Sequence, residues 1–280
     1  MSDAPRTMPG SLMSFFLLTF AVTWPCFTAV AVMPPSPLRL LVLYVGIFAP
    51  AMTALALTAR AEGKAGVVAL LGRLFVWNVG VRWYVFAIGF MATIKLTGAL
   101  LHRVVLGAWP HFGDEAWYVM LLATLASTLM GGQTGEEIGW RGYALPRLLS
   151  RFGFARASLL LGVIWAVWHL PLFYVSVGDT YGQSFPLFVL QVTALSVVMA
   201  WLYVRTGSLL LTMLMHAAVN NTKDIVPSAV RGATNVFALS TSVVAWITVS
   251  LLWISAAYFI MRMRKPEQTV DYATARGVSG

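Results

Sequence analysis

Charged side chains are scarce in this sequence. Asp, Glu, Lys and Arg make up 10% of its 280 residues, whereas soluble domains have about 25%. Apolar residues reach 59% and the mean hydropathy is +0.78, which excludes an ordinary soluble protein and indicates an integral membrane protein. In such a composition the net charge of +9 does not point to a nucleic-acid partner. It indicates basic loops held on the cytoplasmic side of a lipid bilayer.

Cysteine and the usual hydrolase motifs are also nearly absent. The single cysteine, Cys26, lies in an apolar run, which excludes an intramolecular disulfide and a cysteine metal cluster. No G-x-S-x-G sequence occurs, so a serine nucleophile on that turn is not supported. No H-E-x-x-H sequence occurs either, so no single helix presents a pair of histidine zinc ligands.

Long apolar segments are what the sequence has instead. Their lengths predict an all-α, polytopic transmembrane helix bundle of about eight spans, since a span needs about 20 apolar residues. The eight segments are 12–33, 38–59, 83–106, 116–134, 157–176, 185–204, 207–222 and 240–262. Residues 72–83 and 141–156 mix Arg with aromatic and Leu residues, which predicts short helices lying in the membrane interface.

Basic residues are distributed unequally between the two sets of loops. With eight spans, and with Arg141 set aside as a candidate site residue, the termini and the even-numbered loops together hold thirteen Arg or Lys residues, and the odd-numbered loops hold four. The positive-inside rule then predicts that both termini are cytoplasmic. It also predicts that Glu136 and Glu137, at the exit of the fourth segment, lie near the cytoplasmic leaflet.

The first of three polar patterns in the apolar segments is "EEIGWR". It places Glu137 and Arg141 at positions i and i+4 of a helix, with the acid first, which favours an ion pair. Glu136 is rotated by about 100° from Glu137, so one carboxylate can be neutralised while the other faces a cavity. The alternative is a capped helix end with a solvated charge cluster.

The other two patterns are "WAVWH" and "HAAVN". Trp165 and His169 lie on one face of the fifth segment, and His216 and Asn220 lie on one face of the seventh. Taken alone, His169 is more typical of a hydrogen-bonded packing residue than of a catalytic one. The pair His216 and Asn220 is equally typical of an interhelical hydrogen bond and of a functional site. Polar residues at membrane depth are costly, however, so we expect all three patterns to meet around one water-accessible cavity that opens towards the cytoplasmic leaflet.

A carboxylate and a histidine beside trapped water can act as a general base. A second histidine and an amide can stabilise an oxyanion. The converging residues therefore indicate hydrolysis of an amide or ester without a covalent intermediate.

The three motifs "EEIGWRGYALPRL", "WAVWH" and "HAAVN" resemble those of the CPBP family of intramembrane proteases, the type II CAAX prenyl endopeptidases and their bacterial relatives. The family motifs read E-E-x-x-x-R, F-x-x-x-H and H-x-x-x-N/D, and the resemblance covers about residues 120–225. Trp165 stands where the family usually has Phe.

The resemblance implies a role for each of these positions. Glu136 corresponds to the catalytic glutamate that activates water with His169, and His216 and Asn220 correspond to the oxyanion hole. It further implies an endopeptidase whose substrate is a membrane-embedded or membrane-associated polypeptide. The frequent use of Ala, Gly and Arg is typical of a bacterial protein, so we expect the chain to lie in a bacterial inner membrane. We accordingly divide the chain into N-terminal transmembrane helices (1–115), a catalytic core (116–225) and a last helix with a cytoplasmic tail (226–280).

Several alternatives remain open at this point. Metal-free catalysis is favoured and no cofactor is expected, but His169, His216 and Glu136 could instead form a two-histidine, one-carboxylate zinc site. The chain could also be a non-proteolytic scaffold or a bacteriocin self-immunity protein. A proton-coupled transporter is a further rival, because Lys95 lies within the third segment.

Overall fold

The computed structural model describes residues 9–176 (with side chains from Leu12 onward), 180–223, 225–227 and 235–263. These residues form helices and contain no β-strand, which confirms the predicted all-α bundle. The α-helices are α1 (Pro9–Val32), α2 (Pro37–Gly72), α3 (Val81–Leu106), α4 (Trp117–Met130), α5 (Gln133–Glu137), α6 (Leu145–Trp168), α7 (Phe185–Thr206), α8 (Leu209–Asn221) and α9 (Val243–Met263). A π-helix, Ile138–Ala144, joins α5 to α6, and 3-10 turns at Arg73–Phe75 and Leu170–Tyr174 follow α2 and α6.

Six helical stretches within the described residues are long and apolar enough to cross a membrane, which marks the chain as an integral membrane protein. They are α1, α2, α3, the continuous stretch Gln133–Tyr174, α7 and α9. The helices α4 and α8 have only 14 and 13 residues. At about 1.5 Å per residue each is about 20 Å long, less than the roughly 30 Å hydrocarbon core. The fourth and seventh predicted spans are therefore apolar helices too short to cross as single straight helices.

A break after α4 explains the short fourth helix. The helix ends at Gly131, whose backbone is extended (φ −91°, ψ 177°), and α5 begins two residues later. From there the chain continues through the π-helix into α6. Glu136 and Glu137 thus lie inside a continued helical stretch and not, as the sequence had predicted, at the end of the fourth span.

The two predicted interfacial helices take other forms. Within residues 72–83, only Arg73–Phe75 forms a helical turn before α3 begins. The next residue, Val76, is bonded to a distant part of the chain, because its carbonyl accepts a hydrogen bond from Ser208 Oγ at 2.6 Å. Residues 141–156 include the buried end of the π-helix and the first part of α6, which turns sharply at Gly153 (φ 68°, ψ 174°). A positive φ of this kind is readily adopted by glycine.

The core of the bundle is centred on α7. This helix packs against α6, α8 and α9, and thirteen of its 22 residues are buried. The outer helices instead expose apolar side chains such as Val85, Leu96 and Leu100 on α3, as lipid-facing helices do. Helices α7 and α8, which pack against each other, are therefore well enclosed within the bundle.

Candidate active site

Two glycines bring the glutamate-bearing segment against α2. A Cβ on Gly135 would lie 2.9 Å from Phe48 Cα, and a Cβ on Gly139 would lie 2.4 Å from Pro50 Cβ. No larger residue fits without moving one of the two backbones. The π-helix that follows is buried along its whole length, and such wide turns often occur at functional sites. Close backbone approach therefore determines where Glu136 and Glu137 point.

Glu136 lies at the wall of a cavity and is held by the indole of Trp165. The Trp165 Nε1–H donates a hydrogen bond to Glu136 Oε2 at 2.7 Å. The same carboxylate oxygen lies 4.0 Å from His169 Nε2. The aromatic residue of the second motif is therefore a direct hydrogen-bond partner of the glutamate, a contact that phenylalanine could not make.

His169 is oriented by the backbone of its own helix. Its Nδ1 lies 2.8 Å from the carbonyl oxygen of Trp165, and because a carbonyl only accepts, Nδ1 carries the hydrogen. In the neutral ring, Nε2 is then an acceptor, and this is the nitrogen that faces Glu136. Edge-on contacts with Trp168 and Phe188, at centroid distances of 4.7 and 5.2 Å, fix the plane of the ring.

Glu137 is fully buried and accepts hydrogen bonds from two partners. Its Oε1 accepts from Arg141 Nη1 at 2.7 Å and from His216 Nδ1 at 2.9 Å. The predicted ion pair with Arg141 is present, and His216 is an unpredicted second partner. Since Nδ1 of His216 donates to the carboxylate, its Nε2 can donate to a substrate only when the ring is an imidazolium.

Arg141 contacts both Glu137 and the tryptophan that holds Glu136. Its guanidinium carbon lies 4.2 Å from the centroid of the Trp165 ring, a cation–π contact worth about 0.5–2 kcal/mol. The indole therefore carries Arg141 on its face and holds Glu136 with its N–H. The His216 ring also packs edge-on against it, with centroids 5.1 Å apart.

The structure brings the four predicted catalytic residues to one cavity of about 850 Å³. Glu136, His169, His216 and Asn220 all line its wall. Asn220 is exposed there, one turn beyond the buried His216. The two carboxylates of the first motif thus point in different directions, as their spacing suggested. Glu136 faces the cavity and Glu137 is buried behind it.

The proposed zinc ligands do not form a closed set. In the described part of the chain, no group of three His, Cys, Asp or Glu side chains is close enough to hold a metal ion. Trp165 already donates to the Glu136 oxygen nearest His169, and His216 directs Nδ1 to Glu137. The arrangement therefore does not fit the two-histidine, one-carboxylate zinc site.

Several residues of the site were not predicted from the sequence. Met199 Sδ lies 3.4 Å from Arg141 Nη2 as a weak acceptor, and Phe188 packs on His169. Both are apolar residues in an apolar helix, so no sequence signal distinguishes them. Gln191 also lines the cavity, and a polar residue inside the sixth apolar segment was a signal that could have found it.

Comparison with known proteins identifies the family that the site-bearing segment resembles. Residues 115–222, which include Glu136, Trp165, His169, His216 and Asn220, match the type II CAAX prenyl endopeptidase family, Rce1-like. The resemblance seen in the three motifs is thereby confirmed, and residues 115–222 are similar to the Rce1-like domain of type II CAAX prenyl endopeptidases.

A curated relative extends the similarity beyond that domain. The chain is similar to CAAX prenyl protease 2 of Methanococcus maripaludis, with 26% identity over 233 residues. The alignment covers 75% of this chain and 83% of the relative. The similarity therefore includes N-terminal or C-terminal helices outside the recognised domain.

Proposed function

We propose that this chain is an intramembrane endopeptidase in which Glu136 and His169 activate a water molecule. The observation that carries the proposal is the 4.0 Å separation of Glu136 Oε2 and His169 Nε2 in the cavity wall. Both atoms are acceptors when the glutamate is ionised and the imidazole is neutral. Two hydrogen bonds of about 2.8 Å that meet near a right angle span about 4 Å, so one water can donate to both.

The reaction follows from these positions. Glu136 takes a proton from the bound water as its oxygen adds to the scissile carbonyl carbon. The resulting oxyanion accepts a hydrogen bond from the Asn220 side-chain amide, and from His216 Nε2 when that ring is protonated. Glu136 then returns the proton to the departing amine as the carbon–nitrogen bond breaks, which leaves a carboxylic acid and an amine. The acid then loses its remaining proton to solvent.

The ion pair behind the site supports this role for Glu136. Glu137 is already committed to Arg141 and His216, so it is not the base that faces the substrate. Buried apolar and polar side chains surround a cavity large enough for a peptide segment, since ligand cavities commonly measure about 300–1,000 Å³. The substrate is a polypeptide embedded in or attached to the membrane.

The test is peptide cleavage by the purified protein in detergent. Internally quenched peptides with apolar C-terminal segments, one of them carrying a farnesylated cysteine followed by three residues, are incubated with the wild type and with Glu136→Gln. We expect Glu136→Gln to lose activity by orders of magnitude while it stays folded, because the amide keeps volume but cannot act as a base. Glu62→Gln, which alters an exposed carboxylate far in sequence from the motifs, is the matched control and should remain active.

A biological assay separates hydrolysis from the rival functions. If Glu136→Gln retained full activity in a complementation assay, hydrolysis would not be the function, and a scaffold or self-immunity role would replace it.

A further inference from the structure

The bundle has two ends that differ in structure and charge. The basic end consists of residues 60–82, 142–156 and 203–208. Its segments are joined by Arg147 Nη2 to Glu62 Oε1 at 2.9 Å and by Arg73 Nη1, which donates to the Gly142 carbonyl and to Tyr203 Oη at 2.9 Å each. These contacts hold the three segments together on one side of the bundle.

The mouth end is formed by the opposite helix termini. It consists of residues 107–116, 180–184, 222–223, 225–227 and 235–242. Phe185 N–H donates to the Val236 carbonyl at 2.7 Å, and Ser184 Oγ donates to the Ala238 carbonyl at 2.6 Å. Since α3, α6 and α8 each run from the basic end and finish here, these connections lie on the far side of the bundle from Arg147.

The cavity opens at the mouth end. Its wall includes residues of three mouth-end connections, among them Asp114, Gln183 and Pro227. Among the described residues, none from the basic end lines it. The cavity therefore opens away from the basic end, which is the opposite of the opening predicted from the sequence.

The two ends differ strongly in their content of basic residues. The basic end contains eight Arg or Lys residues and one acid, Glu62. The described residues of the mouth end contain Lys223 and two acids, Asp114 and Glu115. Residues in the terminal helical turns nearby add Arg39 and Arg103 to the mouth end and Arg262 to the basic end, which leaves the asymmetry at nine basic residues against three.

We propose that the cavity opens on the non-cytoplasmic face of the membrane and that its substrates are exported or membrane-inserted polypeptides reached from that face. Basic residues in short loops are retained in the cytoplasm, so the basic end is cytoplasmic and the mouth end is not. The orientation rests on charge and cavity position alone. The statement about substrates rests in addition on the proposed peptidase function. A protein tail confined to the cytoplasm does not reach Glu136 through this opening.

The orientation is tested by cysteine labelling, for which the chain is well suited because Cys26 is its single cysteine. In a Cys26→Ser background, Ser176→Cys places a thiol beside the mouth end, and Ser150→Cys places one at the basic end. Both serines are exposed, so the two variants differ only in position. A membrane-impermeant maleimide should label Ser176→Cys in intact bacterial cells, and should label Ser150→Cys only after the cells are opened.

A reversed pattern, or labelling of both variants in intact cells, would overturn the proposal. A second measurement decides the matter if either thiol fails to react: a reporter fused at the C-terminus, on the side where α9 ends. Green fluorescent protein should fluoresce there, and alkaline phosphatase should be inactive. An active phosphatase would place the basic end outside and refute the assignment.

The proposal that substrates reach the cavity from the non-cytoplasmic face is tested by peptide cleavage in vesicles of known orientation. In sealed right-side-out vesicles, a charged, membrane-impermeant peptide that the enzyme cleaves in detergent should be cleaved without opening the vesicles, and in inside-out vesicles only after opening. The reverse dependence would overturn the substrate side. Glu136→Gln should abolish cleavage without changing the labelling pattern, so an incorrect orientation and an incorrect peptidase assignment give different results.

Discussion

Replacing Glu137 with Gln should destabilise this protein far more than the same change at an exposed carboxylate. Glu137 and Arg141 are both fully buried, and one carboxylate oxygen accepts from Arg141 at 2.7 Å and from His216 at 2.9 Å. Removing one partner of a buried ion pair costs about 3–5 kcal/mol, because the other charge is left uncompensated. The Gln oxygen can still accept one hydrogen bond, so we expect about 3 kcal/mol.

The protein offers a matched control for that substitution. Glu62 and Arg147 form an ion pair of similar length, 2.9 Å, but the Glu62 side chain is 51% exposed. Exposed pairs contribute about 0–1 kcal/mol, so Glu62→Gln should change stability by less than about 1 kcal/mol. The same chemical change thus has two very different expected costs, and burial is what distinguishes them.

A second variant separates lost charge balance from lost packing. In Glu137→Gln/Arg141→Met neither charge remains buried, so the double variant should be more stable than Glu137→Gln alone. The assay is the loss of folded, monodisperse protein with temperature or added SDS in one detergent. A Glu137→Gln variant as stable as Glu62→Gln, or a double variant less stable than the single one, would refute the reasoning.

Three further predictions concern the cavity wall. Trp165→Phe should lower the free energy of unfolding by about 1–3 kcal/mol because Glu136 loses its indole donor. Trp165→Leu should lower it further, because the aromatic face under Arg141 is lost as well. If the wild type and Trp165→Phe melted at the same temperature, the hydrogen bond would contribute nothing to stability. Asn220→Ala should reduce kcat about 10²–10³-fold. Asn221→Ala is the control and should have little effect on kcat, because the Asn221 amide instead donates to Ser127 Oγ and to the Ala217 carbonyl. Similar losses of kcat in the two variants would show that Asn220 does not stabilise the oxyanion. Dialysis against EDTA or 1,10-phenanthroline should leave peptide cleavage unchanged, and recovery of a lost activity on adding Zn²⁺ would revive the zinc alternative.

Much of the helical framework was predictable because its causes are local. Each of the eight apolar segments contains or overlaps a helix, since hydrophobic length alone requires backbone hydrogen bonds to be satisfied within the segment. The pairing of Glu137 with Arg141 was predictable for the same reason, because positions i and i+4 meet on any helix. The break at Gly131 was not, because a Gly-Gly pair between apolar residues does not reveal whether a helix bends or ends there.

The chain by itself determined which residues are chemically unusual: the three motifs stand out because polar groups in apolar segments are costly wherever they lie. Only the tertiary structure decided which of these polar residues contact one another. In the folded chain His216 donates to Glu137, the Trp165 indole donates to Glu136, and the cavity opens away from the basic end. Each of these depends on how separate helices approach one another, as at Gly139 against Pro50, and such distances are fixed by packing between segments far apart in sequence and not by spacing along one helix.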